Sequence, residues 1–190
     1  MDKPIATTRM ASGTPTGKLA VWWLIASEIV IFGGVLGSYL MGRLSHPEWA
    51  EDASHTVTMI GGINTMVLLT SSYFAVRAHA EAENGNGKGA ARWLYKTIGC
   101  GMLFACIKAF EWSNEIKHGY TIMASNFWGF YYTAAGIHAA HVIVGCGVMA
   151  WVASYAAKNR ELQRVELVGI YWHFVDLVWI FLFPLLYIAK

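Results

Sequence analysis

Residues 169–188 read GIYWHFVDLVWIFLFPLLYI, a run that is apolar and aromatic except for His173 and Asp176. A helix of about 20 such residues is long enough to cross the hydrocarbon core of a bilayer. An aspartate near the centre of a membrane helix costs about 2.5–3.5 kcal/mol on insertion scales. The run therefore predicts a membrane span whose two polar side chains face other helices instead of lipid.

The composition of the whole chain is that of an integral membrane protein. Of its 190 residues, 56% are hydrophobic and 14% are charged, whereas about 25% of residues are charged in soluble domains. The formal net charge of +2, without a basic run, argues against a nucleic-acid partner. Cys100, Cys106 and Cys146 lie in apolar stretches without a CxxC spacing, which is typical of reduced cysteines packed inside helices.

The pattern predicts an all-α bundle of five transmembrane helices. Each apolar run is near the ~20 residues that a span requires, and short polar loops separate them. The five runs are 19–41, 57–76, 94–115, 127–156 and 168–189. Residues 1–17, rich in Ser, Thr, Gly and Pro, predict a disordered tail, and residues 18–190 a single membrane domain. The first run lacks a small-residue cleavage site and is expected to be retained as a span.

The distribution of basic residues predicts the orientation. If the N-terminus is cytoplasmic, ten basic residues lie inside: Lys3, Arg9, Lys18, Arg77, Lys88, Arg92, Lys96, Lys158, Arg160 and Arg164. Three lie outside, Arg43, Lys117 and Lys190, and Lys108 falls within a span. Because loops rich in Lys and Arg stay in the cytoplasm, we expect a cytoplasmic N-terminus and a periplasmic C-terminus.

Seven charged or histidine residues lie well inside the predicted spans, away from their ends. They are Glu28 in the first, Lys108 and Glu111 in the third, His138 and His141 in the fourth, and His173 and Asp176 in the fifth. The three pairs are spaced i, i+3, so each pair shares one helix face. That face should point into the bundle, because lipid would leave the groups without partners.

Several roles fit these residues. The histidines and Asp176 are expected to form a buried polar network that hydrogen-bonds across helices, and Lys108 to snorkel or to form an outer polar pair with Glu111. Glu28 has no partner on its own helix, so it is a candidate for proton handling as well as a structural acid. A metal or haem site, with haem between His141 and His173, is a weaker alternative, because the Glu-x-x-His motif of di-iron bundles is absent.

Five segments together resemble subunit III of the haem–copper oxidases, the family of cytochrome c oxidase. In chain order these segments are LIASEIVIFGG (24–34), INTMVLLTSS (63–72), KAFEW (108–112), TAAGIHAAHVIVG (133–145) and YWHFVDLVWIFLF (171–183). The last matches the family's YWHFVD-x-VW segment almost letter for letter, and the resemblance covers about residues 18–190. Lys108 stands where the family often has Gln.

The resemblance implies a non-catalytic subunit of the bacterial inner membrane. Such a subunit binds no haem or copper itself, stabilises the catalytic subunit I that does, holds phospholipid and supports proton uptake. Glu28 would be the family's buried glutamate, and the histidines and Asp176 its buried polar set. The Glu-bearing helix comes first here, as in the short five-helix bacterial form. That form also serves quinol oxidases and nitric-oxide reductases, so the electron donor and acceptor stay open.

Overall fold

The computed structural model describes residues 15–189, which form six α-helices and a C-terminal π-helical turn. These are α1 Thr16–Ser45, α2 Trp49–Ser54, α3 Thr58–Glu83, α4 Gly87–Lys117, α5 Asn126–Ala156, α6 Gln163–Phe183 and the π turn Pro184–Ile188. The all-helical class is confirmed for this part of the chain. Most of the predicted tail, and Lys190, lie outside the described residues.

Four helices are long and apolar enough to cross a membrane. They are α1, α3, α5 and the continuous stretch Gln163–Ile188, and each covers one of the predicted spans to within one residue. The remaining predicted span, 94–115, lies inside α4. This helix is long enough to cross a membrane, but it is more polar than the other four. A fifth crossing by α4 therefore stays a prediction.

The turn between α3 and α4 is much shorter than the sequence suggested. Hydropathy falls after residue 76, yet α3 continues to Glu83, because Ala, Arg and Glu favour helix whether or not lipid surrounds them. Gly85 then adopts a left-handed backbone (φ 73°), which is the usual conformation just past a helix end. The side chain of Asn86 accepts a 3.0 Å hydrogen bond from Gly89 N and caps α4.

The helices α3, α4, α5 and α6 form a ring in which each packs against two neighbours, and α1 lies outside the ring against α5 and α6. Lys18 and Glu166 pair at 2.5 Å near the start of α1 and α6. Tyr39 Oη donates to Leu185 O at 2.9 Å near their far ends. Thus α1 and α6 run in the same direction, as the predicted topology of a first and fifth span requires.

Trp172 of α6 is the centre of the ring. Its side chain is fully buried, and its indole Nε1 donates to Ser71 Oγ of α3 at 2.9 Å. Gly101 of α4 and Gly145 of α5 leave room for the indole ring, since a Cβ at these positions would lie 2.8 Å and 3.0 Å from it. One side chain of α6 thus contacts all three other helices of the ring.

Candidate functional site

Glu28 of α1 meets His141 of α5 in the interface between the outlying helix and the ring. Glu28 Oε2 and His141 Nε2 are 3.0 Å apart, an ion-pair distance without the alignment of a hydrogen bond. The other ring nitrogen of His141, Nδ1, lies 2.8 Å from Ile137 O. Both side chains are largely buried, with 13% of Glu28 and 21% of His141 exposed.

The hydrogen-bond partners of His141 fix how its protons are arranged. A carbonyl oxygen can only accept, so Nδ1 must carry a hydrogen and donate it to Ile137 O. The Nε2 atom then faces a carboxyl oxygen, and the contact is attractive only if one further proton lies on His141 or on Glu28. The pair therefore brings an acid and a base of two different helices into contact.

A groove of about 490 Å³ opens beside this pair, between α1, α5 and α6. Its walls are almost entirely apolar, with Val144 of α5 and Leu167 of α6 among the lining residues, and Glu28 and His141 are its polar members together with Tyr171 and Arg164. Tyr171 Oη also contacts the carbonyl of His141 at 3.4 Å. The groove therefore combines an apolar surface with one titratable pair in its wall.

Arg164 supplies the groove with a positive charge near the start of α6. Its Nε lies 3.2 Å from Glu161 Oε2, and its guanidinium lies 4.7 Å from the centre of the Trp151 ring. The groove therefore has a cation held over an aromatic ring near the start of α6 and apolar walls along most of its length.

The structure does not join the four residues of the predicted polar network into one hydrogen-bonded set. His173 Nδ1 lies 2.6 Å from Ser72 Oγ of α3, so this histidine links α6 to α3. Asp176 is buried on the same helix, and among the described residues neither of its carboxyl oxygens makes a well-aligned hydrogen bond, although Ser72 of α3 lies close to the carboxyl group. His138 is also buried without a polar partner in residues 15–189, while His141 belongs to the groove.

His138 instead contacts aromatic rings. Its imidazole lies 5.5 Å from the ring of Phe104 in an edge-on arrangement and 5.1 Å from the ring of Trp179. The two members of the i, i+3 pair on α5 therefore have different surroundings, one in the centre of the ring of helices and one in the groove.

The outer polar pair, Lys108 and Glu111, is in contact inside a larger buried cluster. Lys108 Nζ donates to Glu111 Oε2 at 3.0 Å and to Tyr131 Oη at 2.9 Å, and also to Tyr187 Oη. Tyr187 donates to Glu111 Oε1 at 2.8 Å, and Tyr131 Oη lies 3.0 Å from Glu115 Oε1. All three ammonium hydrogens of Lys108 thus have acceptors, and the cluster ties α4 to α5 and to the π turn.

Sequence reasoning missed three members of this cluster. Glu115 lies four residues after Glu111 and seven after Lys108, a spacing that places all three on one face of α4 and would have identified it. Tyr131 and Tyr187 carry no comparable signal, because only the packing of three separate segments brings their hydroxyls to Lys108. One cation, two carboxylates and two phenols make the cluster a structural tie with no open face for a substrate.

The arrangement does not favour the haem alternative. His141 faces Glu28 in the groove and His173 faces Ser72 of α3, so the two imidazoles contact different helices. Within residues 15–189, no three His, Cys, Asp or Glu side chains are grouped so that they could hold a metal ion.

Comparison with known proteins places the chain among oxidase subunits. The family described as cytochrome c oxidase subunit III matches residues 8–190. A cytochrome c oxidase subunit 3 of Corynebacterium diphtheriae is 31% identical over 173 residues, covering 87% of this chain and 84% of the relative. A probable cytochrome c oxidase subunit 3 of Rickettsia bellii is 39% identical over 186 residues, covering 86% of this chain and 65% of the relative.

A third relative has a different organisation. It is a protein of Aeropyrum pernix named heme-copper oxidase subunit I+III, 28% identical over 181 residues. The alignment covers 90% of this chain but only 22% of the relative. The similarity is therefore confined to one part of a much longer polypeptide.

Proposed function

Because the chain belongs to the cytochrome c oxidase subunit III family, we propose that it is the non-catalytic subunit III of a bacterial cytochrome c oxidase, located in the inner membrane. Its partner is the haem–copper subunit I, which reduces oxygen. The relative named subunit I+III supports this pairing, since joining two polypeptides in one chain keeps them side by side. The haem and copper centres belong to that partner.

The proposed membrane arrangement has five crossings, with the N-terminus in the cytoplasm. The polarity of α4 is compatible with a crossing because its charges face inward: Lys108, Glu111 and Glu115 are each at most 4% exposed. Charged groups in membrane helices normally face the interior of a bundle and pair with one another. The parallel course of α1 and α6 supports an odd number of crossings between them and hence an odd total.

The outlying helix α1 supports a role in a larger complex. Trp22, Trp23, Val30 and Leu44 on this helix are each more than half exposed, and added Cβ atoms at Gly33 and Gly37 would meet nothing within 4 Å. Small residues four apart allow close approach of another helix in a membrane. Lipid and neighbouring subunits of the oxidase would cover this surface.

The observation that carries the proposed contribution to proton uptake is the Glu28–His141 pair. It places an acid of α1 against a base of α5, next to the groove, and an ionisable group inside a membrane span is functional by default. Proton uptake requires a group that can release and regain a proton, and an acid facing a base 3.0 Å away meets that requirement. The apolar groove with Arg164 at one end supports the proposed binding of phospholipid.

Purification from native membranes through a tag on this chain tests the assignment. We expect a haem–copper subunit to co-purify and the complex to consume oxygen with reduced cytochrome c. Oxidation of quinol alone, or reduction of nitric oxide, would assign the chain to another member of the superfamily. A stoichiometric Soret band retained by the separated chain would overturn the accessory role altogether.

A further inference from the structure

Two basic side chains converge on one tryptophan at the α3–α4 hairpin, away from the groove. Lys96 Nζ lies 3.7 Å from the centre of the Trp93 ring, and Arg77 Cζ lies 5.2 Å from it. Arg77 Nη1 also contacts Tyr73 Oη at 3.4 Å. Arg77 and Tyr73 come from α3, and Trp93 and Lys96 from α4, so the cluster bridges the seam between the two helices.

Among the described residues these two cations have no acidic partner, in contrast to three other basic residues. Lys18, Lys108 and Arg164 each pair with a glutamate, whereas no carboxylate lies within ion-pair distance of Arg77 or Lys96 in residues 15–189. Two like charges drawn to the same indole ring repel each other. An anion between them would remove this repulsion.

The position of the cluster identifies the kind of anion. Arg77 is six residues before the end of α3 and Lys96 is nine residues after the start of α4, or about 9 Å and about 14 Å along the helix axes. The 26 residues of α3 extend about 39 Å, which exceeds the ~30 Å hydrocarbon core by about 9 Å, the distance of Arg77 from the end of the helix. The cations therefore lie at the level of the phosphates of one leaflet, where tryptophan and tyrosine also collect.

We propose that Arg77, Lys96 and Trp93 bind the phosphate of an anionic phospholipid at the cytoplasmic leaflet. The planar guanidinium can donate two hydrogen bonds to one phosphate, and the ammonium adds a point charge. The acyl chains run along the seam, over Met66, which is eleven residues before Arg77, and Leu103, which is seven after Lys96. Both spacings are close to whole numbers of turns, and both residues are about half exposed or more.

This site is distinct from the groove between α1, α5 and α6 and does not rest on it. It would persist if the groove held no lipid, and also if the chain served a quinol oxidase. It requires that the α3–α4 hairpin lies in a membrane, and its assignment to the cytoplasmic leaflet rests on the orientation given in the proposed function.

The test compares two charge-matched double variants in the purified oxidase complex. Arg77→Gln with Lys96→Gln removes the proposed site, while Lys88→Gln with Arg92→Gln removes two exposed charges from the same hairpin. Binding of dihexanoyl phosphatidylglycerol, dihexanoyl phosphatidylcholine and inorganic phosphate is measured by native mass spectrometry. We expect the first double variant to lose affinity for phosphatidylglycerol on the order of 30-fold, since each basic residue at an anionic surface contributes about fivefold.

The control variant should bind phosphatidylglycerol like the wild type, and phosphatidylcholine should bind weakly to all three proteins. Equal loss in both double variants, or no loss in the first, would overturn the site. Displacement of phosphatidylglycerol by an equal concentration of inorganic phosphate would show an anion site that does not recognise lipid. If the first variant does not assemble, Lys96→Gln against Lys88→Gln makes the same comparison with one charge.

Discussion

Trp172 of α6 donates its indole hydrogen to Ser71 of α3, 2.9 Å away, while the far edge of the same ring occupies the space left by Gly101 of α4 and Gly145 of α5. The hydrogen bond fixes the orientation of the ring, and the two glycines allow the helices to close around it. Without a hydrophobic drive between spans, such close packing is a main source of stability in a membrane bundle.

Gly101→Ala should therefore destabilise the bundle. Its methyl group would lie 2.6 Å from Cys146 Sγ and 2.8 Å from the ring of Trp172, and overpacking of this kind costs about 1–3 kcal/mol. Gly99→Ala, two residues away on the same helix, meets nothing within 4 Å and should match the wild type. The melting temperatures of the purified complexes carrying each variant are compared. Equal melting temperatures would contradict the packing of Trp172.

The buried cluster around Lys108 predicts a second loss of stability. Lys108→Met leaves Glu111 and Glu115 buried without their cation, and breaking a buried ion pair from one side costs about 3–5 kcal/mol. Lys117→Met, at the exposed end of the same helix, should have little effect. The yield and the melting temperature of the complex are measured for both variants.

A double variant separates the charge effect from the loss of packing around Lys108. Lys108→Met combined with Glu111→Met removes cation and anion together and should recover part of the stability that Lys108→Met loses. A double variant as unstable as the single one would show that the lysine stem, not its charge, supports the cluster.

Much of this architecture could be read from the sequence, because hydropathy and spacing are properties of single helices. The apolar runs locate α1, α3, α5 and α6, and the i, i+3 spacing brings Lys108 to Glu111. Hydropathy cannot show where a helix ends once it leaves the bilayer, so the continuation of α3 to Glu83 and the tight turn at Gly85 were missed.

Partners that come from different helices were less accessible to sequence reasoning. His138 and His141 share one face of α5 by spacing, yet one side chain contacts Phe104 and Trp179 and the other contacts Glu28. A helix face is wide enough to meet two neighbours, and only the arrangement of the other helices decides which side chain meets which.

Asp176 gives a prediction opposite to the one that a buried hydrogen-bonded network would give. Its carboxyl oxygens make no well-aligned hydrogen bond among the described residues, with Ser72 as the polar group nearby, and replacing a poorly paired buried polar group by an apolar one of similar size is nearly neutral or stabilising. Asp176→Leu should therefore leave the melting temperature of the complex unchanged or raise it. A loss of about 3 kcal/mol or more would contradict this prediction and show that the carboxyl is tightly paired in the complex.

Glu28→Gln tests whether the acid facing His141 handles protons or only holds α1 in place. An amide has nearly the size of a neutral carboxyl and can donate to the bare Nε2 of His141, so assembly and thermal stability should be preserved. The amide cannot release a proton, so sustained oxygen turnover should fall, up to about tenfold, which corresponds to about 1.4 kcal/mol. His141→Gln removes the other member of the pair and should give the same fall, whereas Glu83→Gln, exposed at the end of α3, should not. Oxygen consumption and proton release are measured together on reconstituted complex, and full turnover with normal proton stoichiometry in Glu28→Gln would reduce the pair to a structural contact.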